Sequence, residues 1–374
     1  MSAGPAMTTL PSPGAAPAVS SALAAVLRAD LQALHGYVVQ PSAGLVKLDV
    51  MENPFRLPAA LRRALGERLA EVALNRYPAE RTDVLRTALA RHACMPPGCS
   101  MTLGNGSDEL ITMLAMACNR PGATILAPVP GFEIYELSAR LHGLRFVGVP
   151  TTADFELDAD AMLAAVQAQR PALIYIAYPN NPTANLWNDV TIDRVIEAAP
   201  GLVVIDEAYQ PFASRDSMAR LVRHEKELLM RTMSKFGLAG VRIGYLMGRS
   251  ALVSQIDKLR PPFNISVLNC EAALFALEHE DEYARQATVI RAERERLQHA
   301  LRALPGVMPF PSDANMILVR VADAPAVFEG MKRRGVLVKD RSKAHPLLAN
   351  CLRLTVGLPE ENDQMIAALK ASLK

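Results

Sequence analysis

A chain of 374 residues, half of them hydrophobic and 21% charged, has globular composition and is long enough for one large domain and a smaller one. Forty Lys and Arg against 38 Asp and Glu leave a net charge of +2, which argues against a nucleic-acid partner or an anionic membrane surface. No apolar run reaches the roughly 18 residues that a transmembrane helix requires, so no membrane span is expected.

Residues 1–20 are rich in Ala, Pro, Ser and Gly, without a charged segment before an apolar one. This composition suits a disordered tail rather than a signal peptide. Leu23, Val26, Leu27, Leu31 and Leu34 have helical spacing, with Tyr37 where that helix should end. Leu45 to Val50 alternates like a strand, and Pro54 breaks the chain after Glu52-Asn53. A helix over residues 58–73 should stop before Tyr77-Pro78, because proline cannot continue it.

Gly104-Asn105-Gly106-Ser107-Asp108 is a glycine-rich turn opening an apolar helix over residues 107–118. Free N–H groups and the dipole at such a helix start favour an anion. Simple N-capping by Ser107 is the plainer reading of the same residues. Short apolar runs ending at Ala127, Val149, Ala177 and Ile205 alternate with helical stretches, the pattern of a mostly parallel sheet. The run after Ala127 leads to Phe132, which in isolation reads as a core residue. After Ala177 comes a proline-bounded turn, Tyr178-Pro179-Asn180-Asn181-Pro182-Thr183.

Leu202 to Ile205 ends in Asp206, with Tyr209 three residues on. Ligands of open α/β sheets bind outside the carboxyl ends of the strands, so a carboxylate there is placed for function. Residues 228–233 deliver Ser234-Lys235 to the same edge, followed by Gly240 and Arg242. Desolvation at a strand end lowers a lysine pKa and leaves a nucleophilic amine. Together these residues offer a carbonyl-reactive amine, an acid for a ring nitrogen, and cationic and hydroxyl donors for a phosphate. That is what an electron-sink pyridine cofactor requires.

Residues 250–260 read as a helix ended by Pro261-Pro262, and 266–302 as one or two long helices. A strand over 314–320, a helix over 324–334 and strands over 336–338 and 352–357 complete the chain. Alternation puts Arg353 and Thr355 on one strand face and Leu352, Leu354 and Val356 on the other. Arg353 alone reads as an ordinary exposed arginine.

The five cysteines, Cys94, Cys99, Cys118, Cys270 and Cys351, are scattered without paired spacing, as reduced thiols of a cytoplasmic protein would be. His224-Glu225 and His279-Glu280 each lack the second histidine of a zinc helix, so no metal is expected.

Asp206-Glu207-Ala208-Tyr209 and Ser234-Lys235 followed by Gly240 and Arg242 resemble the D-E-A-Y and S-K motifs of the fold-type I pyridoxal 5′-phosphate enzymes, aminotransferase class I and II. The resemblance runs from about Tyr37 to the end of the chain. It implies an α/β fold with a large domain, whose mostly parallel seven-stranded sheet lies between helices, and a small α+β domain. The tail would be 1–20, an arm contributing to the small domain 21–47, the cofactor-binding domain 48–265 and the small domain 266–374.

The resemblance further implies pyridoxal 5′-phosphate bound by Gly106, Ser107, Asp108, Phe132, Asn181, Asp206, Tyr209, Ser234, Lys235 and Arg242, with Lys235, Asp206 and Tyr209 as catalytic residues. Tyr77 would reach the phosphate of a neighbouring subunit in a homodimer. Tyr37, Asn181, Lys339 and Arg353 would bind substrate.

Within that superfamily, Glu52-Asn53-Pro54, Asn75-Arg76-Tyr77-Pro78, Gly106-Ser107-Asp108-Glu109 and Cys351-Leu352-Arg353-Leu354-Thr355-Val356-Gly357 resemble the histidinol-phosphate aminotransferases. These transfer the amino group of L-histidinol phosphate to 2-oxoglutarate in histidine biosynthesis. The sequence departs from that family at Lys339-Asp340, where R-D is usual, at Ala184, where the turn usually has glycine, and at Phe55. An aromatic or broad-range amino acid aminotransferase and a threonine-phosphate decarboxylase remain alternatives. A non-catalytic cofactor-binding regulator would need a DNA-binding module, for which the 20-residue leader is too short.

Overall fold

The computed structural model describes residues 21–30 and 40–373. Residues 1–43 form one unit and Gly44–Lys374 a second, compact one. In the first, the described helix is short, α1 (Ser21–Ala24). The longer expected helix is not continuous, since the chain turns at Ala25, and Leu31, Leu34 and Tyr37 lie outside the described residues.

The second unit begins with β1 (Val46–Lys47), α2 (Ala59–Ala70) and α3 (Arg81–His92). The sheet-forming region follows as β2 (Cys99–Gly104), α4 (Ser107–Ala117), β3 (Thr124–Val129), α5 (Ile134–Leu141), β4 (Arg145–Pro150), α6 (Ala159–Gln169), β5 (Leu173–Ala177), α7 (Asp189–Ala198), β6 (Leu202–Asp206), β7 (Glu227–Thr232) and β8 (Gly244–Arg249). Then come α8 (Ser250–Asp257), α9 (Val267–Glu278) and α10 (Glu280–Arg302), so the 266–302 stretch is two helices. The C-terminal part contains β9 (Met308–Pro309), β10 (Met316–Arg320), α11 (Ala324–Arg333), β11 (Val336–Leu337), β12 (Lys339–Asp340), β13 (Cys351–Thr355) and α12 (Pro359–Ser372).

The local causes are familiar ones. Asp158, Asn188, Ser266 and Asp323 each accept a hydrogen bond from the backbone N–H three residues on, starting α6, α7, α9 and α11. Strands β5, β6 and β7 are almost wholly buried, which is why β5 and most of β6 read as continuous apolar runs rather than alternating ones, while β7 flanks its apolar Leu228-Leu229-Met230 with buried polar residues.

The seven-stranded sheet has the order β2-β8-β7-β6-β5-β3-β4. Neighbours from β7 to β4 are parallel, and β8 alone runs against both β7 and β2. The carboxyl ends of β2, β3, β5, β6 and β7 therefore share one edge with the amino end of β8. Gly244 at the start of β8 is paired with both Gly104 and Thr232.

A second, antiparallel sheet has the order β12-β13-β10-β9, and β1 pairs in parallel with β11. Strand β13 is buried throughout. Its Leu352 and Leu354 join the cluster with Met316, Ile317, Val327, Met331 and Leu369. The opposite face is covered too, so Arg353 is not the exposed arginine that the isolated strand suggested.

Candidate active site

A cavity of about 140 Å³ opens at the shared sheet edge. Its lining includes Ser107, Asp108, Phe132, Asn181, Asp206, Tyr209, Ser234, Lys235 and Arg242, residues that arrive from six separate segments of the chain.

Asp206 ends β6 on the cavity floor. Tyr135 Oη donates to its Oδ2 at 2.6 Å and the Ala208 N–H to its Oδ1 at 3.0 Å. Burial pushes its pKa up to about 6, with these two hydrogen bonds working in the opposite direction. Tyr135 is itself fixed by a parallel stack on Tyr175, ring centroids 4.2 Å apart, and by an edge contact with Phe132 at 5.5 Å.

Lys235 follows β7 after Ser234, and its Nζ donates to the Val50 carbonyl at 3.0 Å. Desolvation, assisted by Arg353 and Arg242, brings its pKa down to about 8. The amine thus remains mostly protonated at physiological pH but keeps a neutral fraction that an ordinary lysine lacks. Burial also raises the phenol pKa of Tyr209, with Arg353 and Arg341 opposing the rise.

Arg242 adopts a left-handed conformation with φ of 55°. This turns its guanidinium toward the start of α4, where Nη1 lies 3.3 Å from Ser234 Oγ and Nη2 3.5 Å from an Asp108 carboxylate oxygen. Gly106, with φ of +81°, precedes α4, and a Cβ there would stand 2.3 Å from Arg242 Nη2. A Cβ on Gly244 would stand 2.6 Å from the Ser107 N–H nitrogen. Two glycines thus keep open a concavity ringed by a helix N-terminus, a guanidinium and a hydroxyl, which is a phosphate cradle.

Arg353 Nη1 donates to Asn181 Oδ1 at 2.7 Å and Nη2 to the Asp49 carbonyl at 2.7 Å. Lys339 stands opposite Arg353 in the β12–β13 ladder and is half-buried. Neither residue lines the cavity. Tyr77 is 74% exposed and stacks on Phe263, ring centroids 4.4 Å apart, away from this chain's own cavity. Tyr37 lies outside the described residues.

Three residues escaped the sequence reading. Tyr135, the partner of Asp206, lies one helical turn after Phe132, and Thr232 lies two before Ser234, where its Oγ1 donates to Ser234 Oγ at 3.0 Å. Arg341 is two residues beyond Lys339 and hence on the same strand face. That spacing was the available signal.

A family model for aminotransferase class I and II matches residues 43–369. The chain belongs to the class I and II aminotransferases. These enzymes depend on pyridoxal 5′-phosphate, and the cavity suits that group: a cradle that a Cβ would fill, a buried carboxylate and a lysine of lowered pKa.

Among similar aminotransferases, a histidinol-phosphate aminotransferase of Methylibium petroleiphilum is 71% identical over 360 residues, covering 96% of this chain and 97% of that one. One of Polaromonas naphthalenivorans is 60% identical, covering 93% and 96%. The solved structure of histidinol-phosphate aminotransferase from Sinorhizobium meliloti, in complex with pyridoxal-5′-phosphate, superposes with a TM-score of 0.78 at 26% identity, covering 92% and 96%.

Proposed function

We propose that this aminotransferase transfers the amino group of L-histidinol phosphate to 2-oxoglutarate, giving imidazole-acetol phosphate and L-glutamate. The 71% identity to a histidinol-phosphate aminotransferase over nearly the whole chain carries the choice of substrate. The convergence of Lys235, Asp206 and the Arg242 cradle supports the chemistry.

In this reading Ser107, Ser234, Arg242 and the first N–H groups of α4 would hold the cofactor phosphate. Asp206 would pair with the ring nitrogen, Asn181 and Tyr209 would meet the ring oxygen, and Phe132 would cover the ring face. When bound, pyridoxal 5′-phosphate supplies an electron sink for the pair left behind when the donor's Cα–H bond breaks.

Lys235 Nζ, whose pKa near 8 matches the task, takes the proton from the donor Cα and gives it back on the product side. Asp206 stays ionised above pH about 6 and keeps negative charge at the cavity floor, where Tyr135 holds its orientation. Arg353, seated between Asn181 and the Asp49 carbonyl, would present its guanidinium to the substrate anion, and Tyr37 and Lys339 are the other substrate-binding residues of this reading.

Residues 48–265 are read as the cofactor domain, 266–374 as the small domain and 21–47 as an arm contributing to it, in a cytoplasmic homodimer in which Tyr77 reaches the second subunit's cradle. The exposed stack of Tyr77 on Phe263 supports that last assignment.

The test is the visible absorbance of the holoenzyme, with no keto acid, on adding L-histidinol phosphate or L-phenylalanine. Histidinol phosphate should discharge the cofactor band at low concentration while phenylalanine hardly alters it. Equal or better response to phenylalanine would identify a broad-range aminotransferase instead.

A further inference from the structure

The small sheet carries three cations in one register. Lys339 is the ladder partner of Arg353, and the Arg341 N–H donates to the Cys351 carbonyl, which continues the same antiparallel register. Lys339, Arg341 and Arg353 consequently project from one face. Arg341 is only 8% exposed, yet among the described residues its one side-chain hydrogen-bond partner is Glu133, whose carboxylate accepts from Nη2 at 2.7 Å and is 60% exposed. Among the described residues its buried Nε has no hydrogen-bond partner.

A guanidinium carries five N–H donors, and leaving a buried donor unsatisfied costs on the order of 1–3 kcal/mol. Glu133 follows Phe132, which lines the cavity, so this under-satisfied fork stands at the margin of the site. The acid that holds it is on the outside, open to exchange.

Of the three, Lys339 is the one without a guanidinium. Lysine retains the charge but not the planar fork that a phosphate monoester accepts bidentately.

We propose that Arg341, not Lys339, supplies the guanidinium that selects the phosphate monoester of the amino donor, and that Glu133 occupies this guanidinium as a carboxylate stand-in that the substrate phosphate displaces. The assignment rests on the functional reading above. It also explains how one face serves two amino donors: glutamate is bound by Arg353 with Arg341 still on Glu133, and the phosphate ester draws Arg341 away.

The experiment compares half-reactions of the holoenzyme with L-histidinol phosphate, unphosphorylated L-histidinol and L-glutamate, and the inhibition of the glutamate half-reaction by inorganic phosphate. R341Q should lower the ratio of kcat/KM for histidinol phosphate to that for glutamate on the order of a hundredfold, consistent with loss of a charge-assisted bidentate contact. It should weaken phosphate inhibition in parallel and leave the histidinol-to-glutamate ratio where it was. R341K should recover only part of the loss.

E133Q, a change at an exposed side chain, should tighten phosphate inhibition and lower the KM for histidinol phosphate several-fold. An unchanged ratio in R341Q, or weaker phosphate inhibition in E133Q, overturns the proposal. Should the wild-type holoenzyme refuse histidinol phosphate, the functional reading fails, while phosphate inhibition in the two variants still decides the role of Arg341.

Discussion

Burial acts in opposite directions on the two groups at the centre of the site, lowering Lys235 to about 8 and raising Asp206 to about 6. Both shifts disfavour charge, because neither group is given a full opposite charge in contact. A third buried group tests the same physics away from the site. Glu227 opens β7 at 0% exposure, and among the described residues neither carboxylate oxygen has a hydrogen-bond partner. Desolvation pushes its pKa up to about 8, with Arg220 and Arg223 opposing and Asp193 and Glu207 adding to the rise.

The folded protein therefore binds this proton more tightly than the unfolded chain, where a glutamate titrates near 4.3. Stability from Glu227 is fully present below that value and is lost as pH rises through about 8. Glu227→Gln should unfold like the wild type at pH 4.5 and be more stable at pH 9 by on the order of 2–4 kcal/mol. Urea midpoints at the two pH values measure this, and a gap that fails to widen with pH would contradict it.

At the scale of elements, the cradle depends on one strand running backwards. Because β8 is antiparallel to β7 and β2, the chain enters it at the same edge where the parallel strands leave. That brings Arg242 against the N-terminus of α4. A Cβ at position 106 would meet the end of the Arg242 side chain and push it aside, and φ of +81° there disfavours any L-residue with a Cβ. Gly106→Ala should fold, with far-UV circular dichroism unchanged, but weaken cofactor binding about 10–100-fold by displacing Arg242. Titration of the cofactor-free protein with pyridoxal 5′-phosphate reads this directly; unaltered affinity would show that the concavity is not the cradle.

For the whole molecule, the proposed dimer would bring Tyr77 to the cradle of the neighbouring subunit. Hybrid dimers distinguish donation between subunits from donation within one. Tyr77→Ala and Lys235→Ala are each expected to be nearly inactive, but a refolded mixture should regain a substantial part of wild-type turnover, since one site of each hybrid would contain both residues. A mixture no more active than its components would place Tyr77 outside the neighbouring site. The exposed Leu74, Tyr77 and Phe263 around it are the apolar surface such a dimer would cover.

Much of this was legible in the linear chain, because the parallel strands are short apolar runs and their ends carry the reactive residues. Asp206, Lys235 and the Arg242 that follows could be picked out on those grounds, and resemblance supplied Asn181 and the role of Arg353. The lengths of the elements around β1 were not, since Leu45 to Val50 alternates over six residues while only Val46–Lys47 find a partner strand, β11. Pairing depends on a segment almost 300 positions away, which no local pattern contains.

The sequence by itself determined the family, the strand ends and the residue types at them, because periodicity and motif spacing are local properties. Only the tertiary structure decided which of these residues meet. Tyr135 reaches Asp206 across 71 positions and Arg341 reaches Glu133 across 208. Arg353, an unremarkable strand arginine in the chain, becomes a buried guanidinium seated on Asn181 and Asp49. The pKa values that suit Lys235 and Asp206 to their work are likewise tertiary, because desolvation arises only when the chain folds around a group.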